Sequence, residues 1–447
     1  MYDVVFLGSG HSCWHGAVTL AASGKKVAIV DGDLPGGTCT NYGCDAKIIL
    51  DGPFEFAEGL ERYQGLCVEG NGTIDWHKLM DYKRQVLDPF PKMLPAMFES
   101  VGIEFVSEFG KLVDEHTVQA GDRTLQTEYV VIGTGQRDSM LDIPGKELMH
   151  NSREFLDIDE MPDHLICIGA GIIGMEFASM ALMLGKKVTF VEFASRALAA
   201  YPMAYVASLV AKMEAQGASF HFGEAASSVE KTEGGYKLTT ASGLTVEGDY
   251  VLCCAGRVAN YENLGLEELG IEASRRGIVV DDHLRTSVPT IFASGDVIDK
   301  QVPRLTPTAE FESNYIAAQI LGDVSPICYP VVPNLVFTLP RIAQVGVTLS
   351  EAEANADAYR IDEWHYGPQN EWVDNRELDI DMTLVLDNEG HLVGAAIYGS
   401  EAGTWIDFLT LVINAKLTGA DIRKMIFAFP TQTYMLASHL AMALVAR

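Results

Sequence analysis

The chain has 447 residues, 48% of them hydrophobic and 21% charged, which is material for several cores and length for roughly three ordinary domains. Acidic residues outnumber basic ones 61 to 32, a formal net charge of −29 that repels nucleic acid and anionic membranes and argues against both as partners. The opening "MYDVVFLGSG" reads as a buried strand without the basic and apolar regions of a secretory leader. The most apolar run, "LICIGAGIIGMEFASMALMLG" at 165–185, is interrupted by Glu176 and a glycine motif, so no membrane-spanning helix is expected. The expectation is a cytoplasmic protein, in which eight cysteines are too sparse for a disulfide framework. Most of them should be buried thiols, and Cys67, Cys167, Cys253, Cys254 and Cys328 fit that reading.

"DVVFLGSGHSCWHGAVTLAASGKKVAIVD" predicts strand, glycine turn, helix and strand, with Gly8 and Gly10 in the turn and Asp31 closing the second strand. "HLICIGAGIIGMEFASMALMLGKKVTFVE" repeats the plan with Gly169, Gly171, Gly174 and Glu192. In each copy the acid follows the second glycine by 21 residues. The first glycine permits the tight turn, the second lets backbone approach a pyrophosphate, and the helix N-terminus supplies free N–H groups and the positive dipole end. The acid then holds ribose hydroxyls. Two such motifs predict two dinucleotide sites in an α/β chain. Cys13 stands where the first copy should have its third glycine and is small enough to pack there. His11, Cys13 and His15 are metal-ligating types, but a turn filled by pyrophosphate leaves them no room, and no metal site is predicted. Glu192 accepts the 2′-OH of NADH and repels a 2′-phosphate; Arg196, four residues on, leaves NADPH as the alternative.

"GGTCTNYGC" at 36–44 sets Cys39 and Cys44 five positions apart. Zinc would need a second such pair, and a disulfide closing so short a loop in a reducing compartment stabilises little, so a redox couple is the preferred reading. Together, the duplicated nucleotide motif and this pair resemble the pyridine nucleotide-disulfide oxidoreductases, the flavoenzymes that include glutathione reductase, dihydrolipoamide dehydrogenase and mercuric reductase. The resemblance spans the chain. Lys47 falls on the family lysine after the second cysteine, with Ala46 replacing the usual proline, and Glu176 falls on the glutamate that pairs with that lysine. "VVIGTG", "AGRVAN", "TIFASGDV" and "RLTPTAE" match further signatures.

The resemblance implies FAD contacts from Gly8, Gly10, Asp31, Gly37, Thr38, Thr134, Gly135, Asp296 and Thr306, and NAD contacts from Gly169, Gly171, Gly174, Glu192, Gly256 and Arg257. It implies two Rossmann-like dinucleotide-binding domains plus a C-terminal α+β dimerisation domain. The expected division is an FAD domain over 1–146, an NAD(P)H domain over 147–259, a return to the FAD domain over 260–328, and the interface domain of a homodimer over 329–447. Arg341 stands in that last domain where an acid is common. Electrons would pass from NADH to FAD and then to the Cys39/Cys44 disulfide, with Cys44 facing the flavin and Cys39 exchanging with a small thiol or disulfide substrate.

The tail departs from the family. Disulfide reductases of this kind end in H-P-T-x-x-E, whereas this chain has "FPTQTY", placing Phe429 and Tyr434 on the two catalytic positions. Imidazole acts as general acid near neutral pH, a contribution of roughly 10²–10⁴-fold; phenyl cannot, and by excluding water it should raise the Cys39 pKa. His439 reads as packed on the tail helix. The alternatives are an acidic or self-protonating disulfide substrate, a non-disulfide acceptor such as a quinone, metal ion or oxygen, or chemistry like that of 2-ketopropyl coenzyme M oxidoreductase/carboxylase, where phenylalanine keeps protons away. The non-enzymatic alternative is a redox sensor.

Overall fold

In the computed structural model, which describes residues 1–70, 72–370 and 375–446, the apolar opening run becomes a central strand of a parallel sheet. Tyr2–Leu7 lies between Val27–Val30 and Arg123–Ile132. Ile103–Val106 extends the sheet beside Val27–Val30, and Ile291–Ala293 pairs with Arg123–Ile132. Val4, Val5 and Phe6 expose no surface, as strands covered on both faces require. Helix α1 (His11–Ala22) follows the first strand directly. Two further helices carry the cysteine pair, α2 (Gly37–Tyr42) and α3 (Cys44–Glu61).

The second glycine motif builds a separate parallel sheet in the order Ala218–Phe222, Lys187–Glu192, His164–Ile168, Tyr250–Cys253. It carries α4 (Ile172–Met183) after its first strand and α5 (Met203–Ala215) before Ala218–Phe222. The chain then returns to the first sheet through Ile291–Ala293 and forms α6 (Thr306–Ile320), which packs along α1. Five antiparallel strands follow, ordered Asn334–Val336, Ile342–Gly346, Leu392–Tyr398, Asp381–Asp387, Tyr359–His365. Trp405 and Leu409 of the helix Ala402–Asn414 sit in the core on this sheet, and α7 (Gln432–Ala443) ends the order. The architecture is thus two Rossmann-like units and an α+β C-terminal unit. Among the described residues no helix is long and apolar enough to cross a membrane.

Both glycine turns have the same geometry. Gly8 and Gly169 adopt φ +111° and +104°, and a Cβ on either would fall 2.6 or 2.7 Å from a carbonyl of a neighbouring segment, Gly133 or Cys254; only glycine combines that φ with that approach. Cys13 is accommodated by its neighbour: it is wholly buried, and the space it takes is space a side chain on Gly133 would need. The extra sulfur in α1 is offset by a missing Cβ across the sheet.

Helix α3 carries charge on the side a sequence would assign to solvent. Lys47, Asp51, Glu55, Glu58 and, one residue past its end, Arg62 recur at three- and four-residue spacing and therefore share one face. That face is turned inward. Asp51 and Glu58 are 2% and 4% exposed. Arg341, also buried, reaches Asp51 at 2.6 Å and Glu55 at 2.9 Å; Glu58 pairs with Lys212 of α5, and Arg62 with Glu377 at 3.3 Å. The arginine that stands where an acid is common thus meets acids on α3. Removing one partner of a buried pair strands the other, at about 3–5 kcal/mol, whereas replacing both with apolar groups is often close to neutral. Arg341→Met should lower stability by that amount in denaturant unfolding, and adding Asp51→Leu should recover most of it; a double variant that loses the sum of the two single losses would show that the pair is not coupled.

Candidate active site

Cys39 in α2 and Cys44 at the first position of α3 are free thiols; of the five cysteines expected to be buried, Cys167 and Cys253 are, whereas Cys67 and Cys328, which lie outside the cores, are exposed. A helix N-terminus favours a thiolate, and Cys44 has further support. A hydrogen bond from Cys39, another from Thr306 and the nearby Lys47 ammonium bring its pKa down to about 6, outweighing burial. Its Sγ lies 3.5 Å from Thr306 Oγ1. Cys39 moves the other way, because the bond it shares with Cys44 and its own burial push its thiol far up. One proton is therefore divided unequally, with Cys44 the thiolate and Cys39 the thiol.

One turn into α3, Lys47 Nζ donates to both Glu176 oxygens at 3.1 and 3.0 Å. Glu176 belongs to α4, is 3% exposed, and also accepts from the Phe337 N–H at 2.9 Å. The ammonium sits 4.1 Å over the Phe337 ring. Three segments distant in sequence meet at this ion pair.

The dinucleotide residues converge as two cradles. In the first, Gly10 caps α1 and lies against Gly37, while Thr38 is exposed beside it. Asp31 Oδ2 accepts from Ser9 N at 2.8 Å and Ser9 Oγ at 2.6 Å, and Gly36 N donates to Ser9 Oγ at 3.0 Å. Thr134 and Gly135 are stapled to the "AGRVAN" segment: Thr134 Oγ1 donates to Asn260 O at 2.5 Å, and Asn260 N donates to Gly135 O at 2.9 Å. Asp296 carries the sharpest sign of a ligand. Burial pushes its carboxyl up, and that carboxyl has no hydrogen-bond partner among the described residues, Arg304 Nε reaching only the Asp296 backbone carbonyl at 3.3 Å. Its turn is nonetheless held rigidly, since Gly295 N donates to Glu312 at 2.6 Å and Glu312 pairs with Lys300 at 2.7 Å in the core. A glycine cradle at a helix N-terminus, an acid at the strand end and a half-buried carboxyl without a hydrogen-bond partner among the described residues fit a flavin dinucleotide, for which Gly8, Gly10 and Gly37 would take the pyrophosphate, Asp31 the ribose and Asp296 the ribityl chain, with Lys47 and Glu176 beside the ring.

The second cradle repeats the first. Gly171 caps α4, Gly174 packs under Gly169, and Glu192 accepts from Ala170 N and Ala194 N, both at 2.6 Å. Arg196 is engaged by the carbonyls of Leu198, Tyr201 and Ala199, so its charge is held by its own loop. Gly256 has φ +110°. Arg257 bridges to Asp138 at 3.3 Å and Gln136 O at 2.9 Å, on the strand pair that carries the chain between the two units.

Phe429 and Tyr434 form a pair on the C-terminal unit, ring centroids 5.0 Å apart and edge to face. Phe429 is 65% exposed. His439 stacks on Trp364 at 4.0 Å, with Nε2 3.5 Å from Asp362, as a packed residue of the tail helix. Sequence reasoning missed Ser9, Glu312 and Lys300, which position the cradle acids; nothing but their place beside the motifs signals them. It also missed that Glu310 approaches His15.

Residues 2–313 match the family described as pyridine nucleotide-disulphide oxidoreductase, and residues 332–438 match its dimerisation domain. Dihydrolipoyl dehydrogenase of Geobacillus stearothermophilus is 30% identical over 442 residues, and that of Haloferax volcanii 29% over 447, each alignment covering 96% of this chain and 93% of the relative. The Cu(II) complex of the HOCl-induced flavoprotein disulfide reductase RclA from Escherichia coli shares the fold, with a TM-score of 0.87 at 23% identity over 98% of this chain and 99% of that one. The chain belongs to the pyridine nucleotide-disulphide oxidoreductase family, as an FAD-dependent NAD(P)H oxidoreductase acting on sulfur groups.

Proposed function

We propose a cytosolic, homodimeric flavoenzyme that oxidises NADH and reduces a small disulfide through Cys39 and Cys44. The observation that carries this reading is the arrangement around the pair: Cys44 opens α3 with its sulfur 3.5 Å from Thr306 Oγ1, and Lys47, fixed by Glu176, follows one turn on. Bound FAD supplies the electron pair, taken from NADH, that returns the cysteine disulfide to the dithiol. The chain's residues do the rest. Cys39, once deprotonated, attacks one substrate sulfur, forms a mixed disulfide and releases the first thiolate. Cys44 then attacks the Cys39 sulfur, closing the Cys39–Cys44 disulfide and releasing the second thiolate, and each leaving group takes a proton from solvent. Lys47, fixed by Glu176, keeps positive charge beside Cys44.

The proton that Cys39 must lose restricts the substrate. Its thiol must ionise without an imidazole, since Phe429 stands at the tail position that would supply one. That favours disulfides with acidic thiols, and it supports the second reading, delivery of electrons to a quinone, metal ion or oxygen. Glu192 supports NADH over NADPH: it sits at the end of its strand, and Arg196 is tied to local carbonyls.

Anaerobic addition of NADH to wild type should give a long-wavelength thiolate-to-flavin band that persists in Cys39→Ser and is absent in Cys44→Ser. Because the Cys44 pKa is lowered, the band should be present above about pH 6 and fade as pH falls through that value; a band that survives Cys44→Ser would remove the assignment. In a panel of lipoamide-type and glutathione-type disulfides, quinones and metal ions, Phe429→His should raise kcat/KM for disulfides at least tenfold at neutral pH, within the roughly 10²–10⁴-fold of general acid–base catalysis. The wild-type rate should instead climb into the alkaline range. Rapid neutral-pH disulfide reduction with no gain from histidine would refute the account of Phe429. Glu192→Ala should lower the ratio of NADH to NADPH kcat/KM by roughly tenfold, the loss of about 1.4 kcal/mol of discrimination; an unchanged ratio would place the preference elsewhere.

A further inference from the structure

We propose that His11, His15 and Glu310 form a binding site for a divalent transition-metal cation of the zinc and copper class, at the edge of the thiol pair. The inference does not depend on the reaction proposed above. The histidines were expected to be crowded out by the nucleotide turn, but the structure divides the motif. Cys13 turns into the core, fully buried with its sulfur 3.7 Å from the Leu7 carbonyl. His11 and His15, four residues apart on α1, face each other with Nδ1 and Nε2 2.9 Å apart. Two imidazoles at this spacing on one helix face are a recurrent zinc-binding arrangement.

The third ligand comes from α6. Glu310 Oε1 lies 3.7 Å from His15 Nδ1, and one ligand atom from each of the three residues can be chosen so that all lie within 4.8 Å of one another. The approach of the two helices fixes this meeting. Gly16 N donates to Ser313 Oγ at 2.9 Å, and a side chain at Gly16 would collide with the Ser313 backbone, so α1 and α6 cannot separate without breaking a core contact. Glu310 is half exposed, free to close the remaining distance by rotation. Trp14 stacks on His15 at 3.6 Å and holds that ring in place.

The position gives the site its interest. Glu310 is one helical turn beyond Thr306, whose hydroxyl touches Cys44 Sγ. Two histidines and one carboxylate leave a coordination position for water or an incoming thiolate, and softness and geometry favour zinc or copper over magnesium or calcium.

Calorimetric titration of the FAD-loaded protein with ZnCl2 at neutral pH tests the proposal. Wild type should bind one more ion per chain than His15→Ala, and that site should weaken at least tenfold in Glu310→Gln. It should persist in Cys39→Ser/Cys44→Ser, which removes the thiols as competing ligands. Flavin absorbance and melting temperature check that each variant is folded, and Glu310→Gln, at a half-exposed position, keeps the test open where His15→Ala fails to fold. Equal stoichiometry and affinity in wild type and Glu310→Gln, or loss of the ion on replacing the cysteines alone, would overturn the site.

Discussion

The buried ion pair between Lys47 and Glu176 ties the redox helix to the second nucleotide unit, and the site's geometry hangs on it. A carboxylate 3% exposed is stable only with its charge answered, and here a lysine and a backbone N–H answer it together. The same logic repeats down α3. Asp51 and Glu55 are met by Arg341 and Glu58 by Lys212, so the helix that begins with Cys44 is held to two other units of the chain by charges rather than by apolar contact alone. Misplacing α3 would leave several buried charges unpaired at once, a penalty that makes its register specific.

The two glycine cradles show one backbone solution used twice with different local repairs. Each hooks its strand-end acid onto the N–H groups of its own turn, Asp31 through Ser9 and Glu192 through Ala170. In the first, the missing glycine at Cys13 is balanced by Gly133. The repair explains how a motif can lose a residue and keep its shape: close helix-strand packing needs a fixed total volume, and either side of the contact can yield it.

Chemistry at the thiol pair follows from dividing one proton between two sulfurs. A helix terminus, a hydroxyl and an ammonium all favour charge on Cys44, and the charge on Cys44 then disfavours charge on Cys39. Under the proposed function the tail bears on the second half of that statement, because Phe429, at the tail position, would bring no proton carrier to Cys39. On that reading the chain retains the cysteines and both cradles of its family and alters the step at which substrate is protonated.

Much of this was legible in the sequence because it depends on local pattern. Glycine spacing, the strand-end acids, the cysteine pair and the "FPTQTY" tail all act through backbone conformation or residue type within a few positions of each other, and the two Rossmann-like units follow from them. Tertiary structure decided what depends on distance across the fold. The charged face of α3 has the spacing of a solvated helix and is buried only because Arg341, Lys212 and Glu176, far away in the chain, arrive opposite it. His11 and His15 could be seen as a pair, but their third neighbour, Glu310, comes from a helix nearly three hundred residues later, and only the close packing of α1 on α6 brings it there. A sequence displays which groups carry charge or ligate; whether a charge is buried, and what stands across from it, is a property of packing.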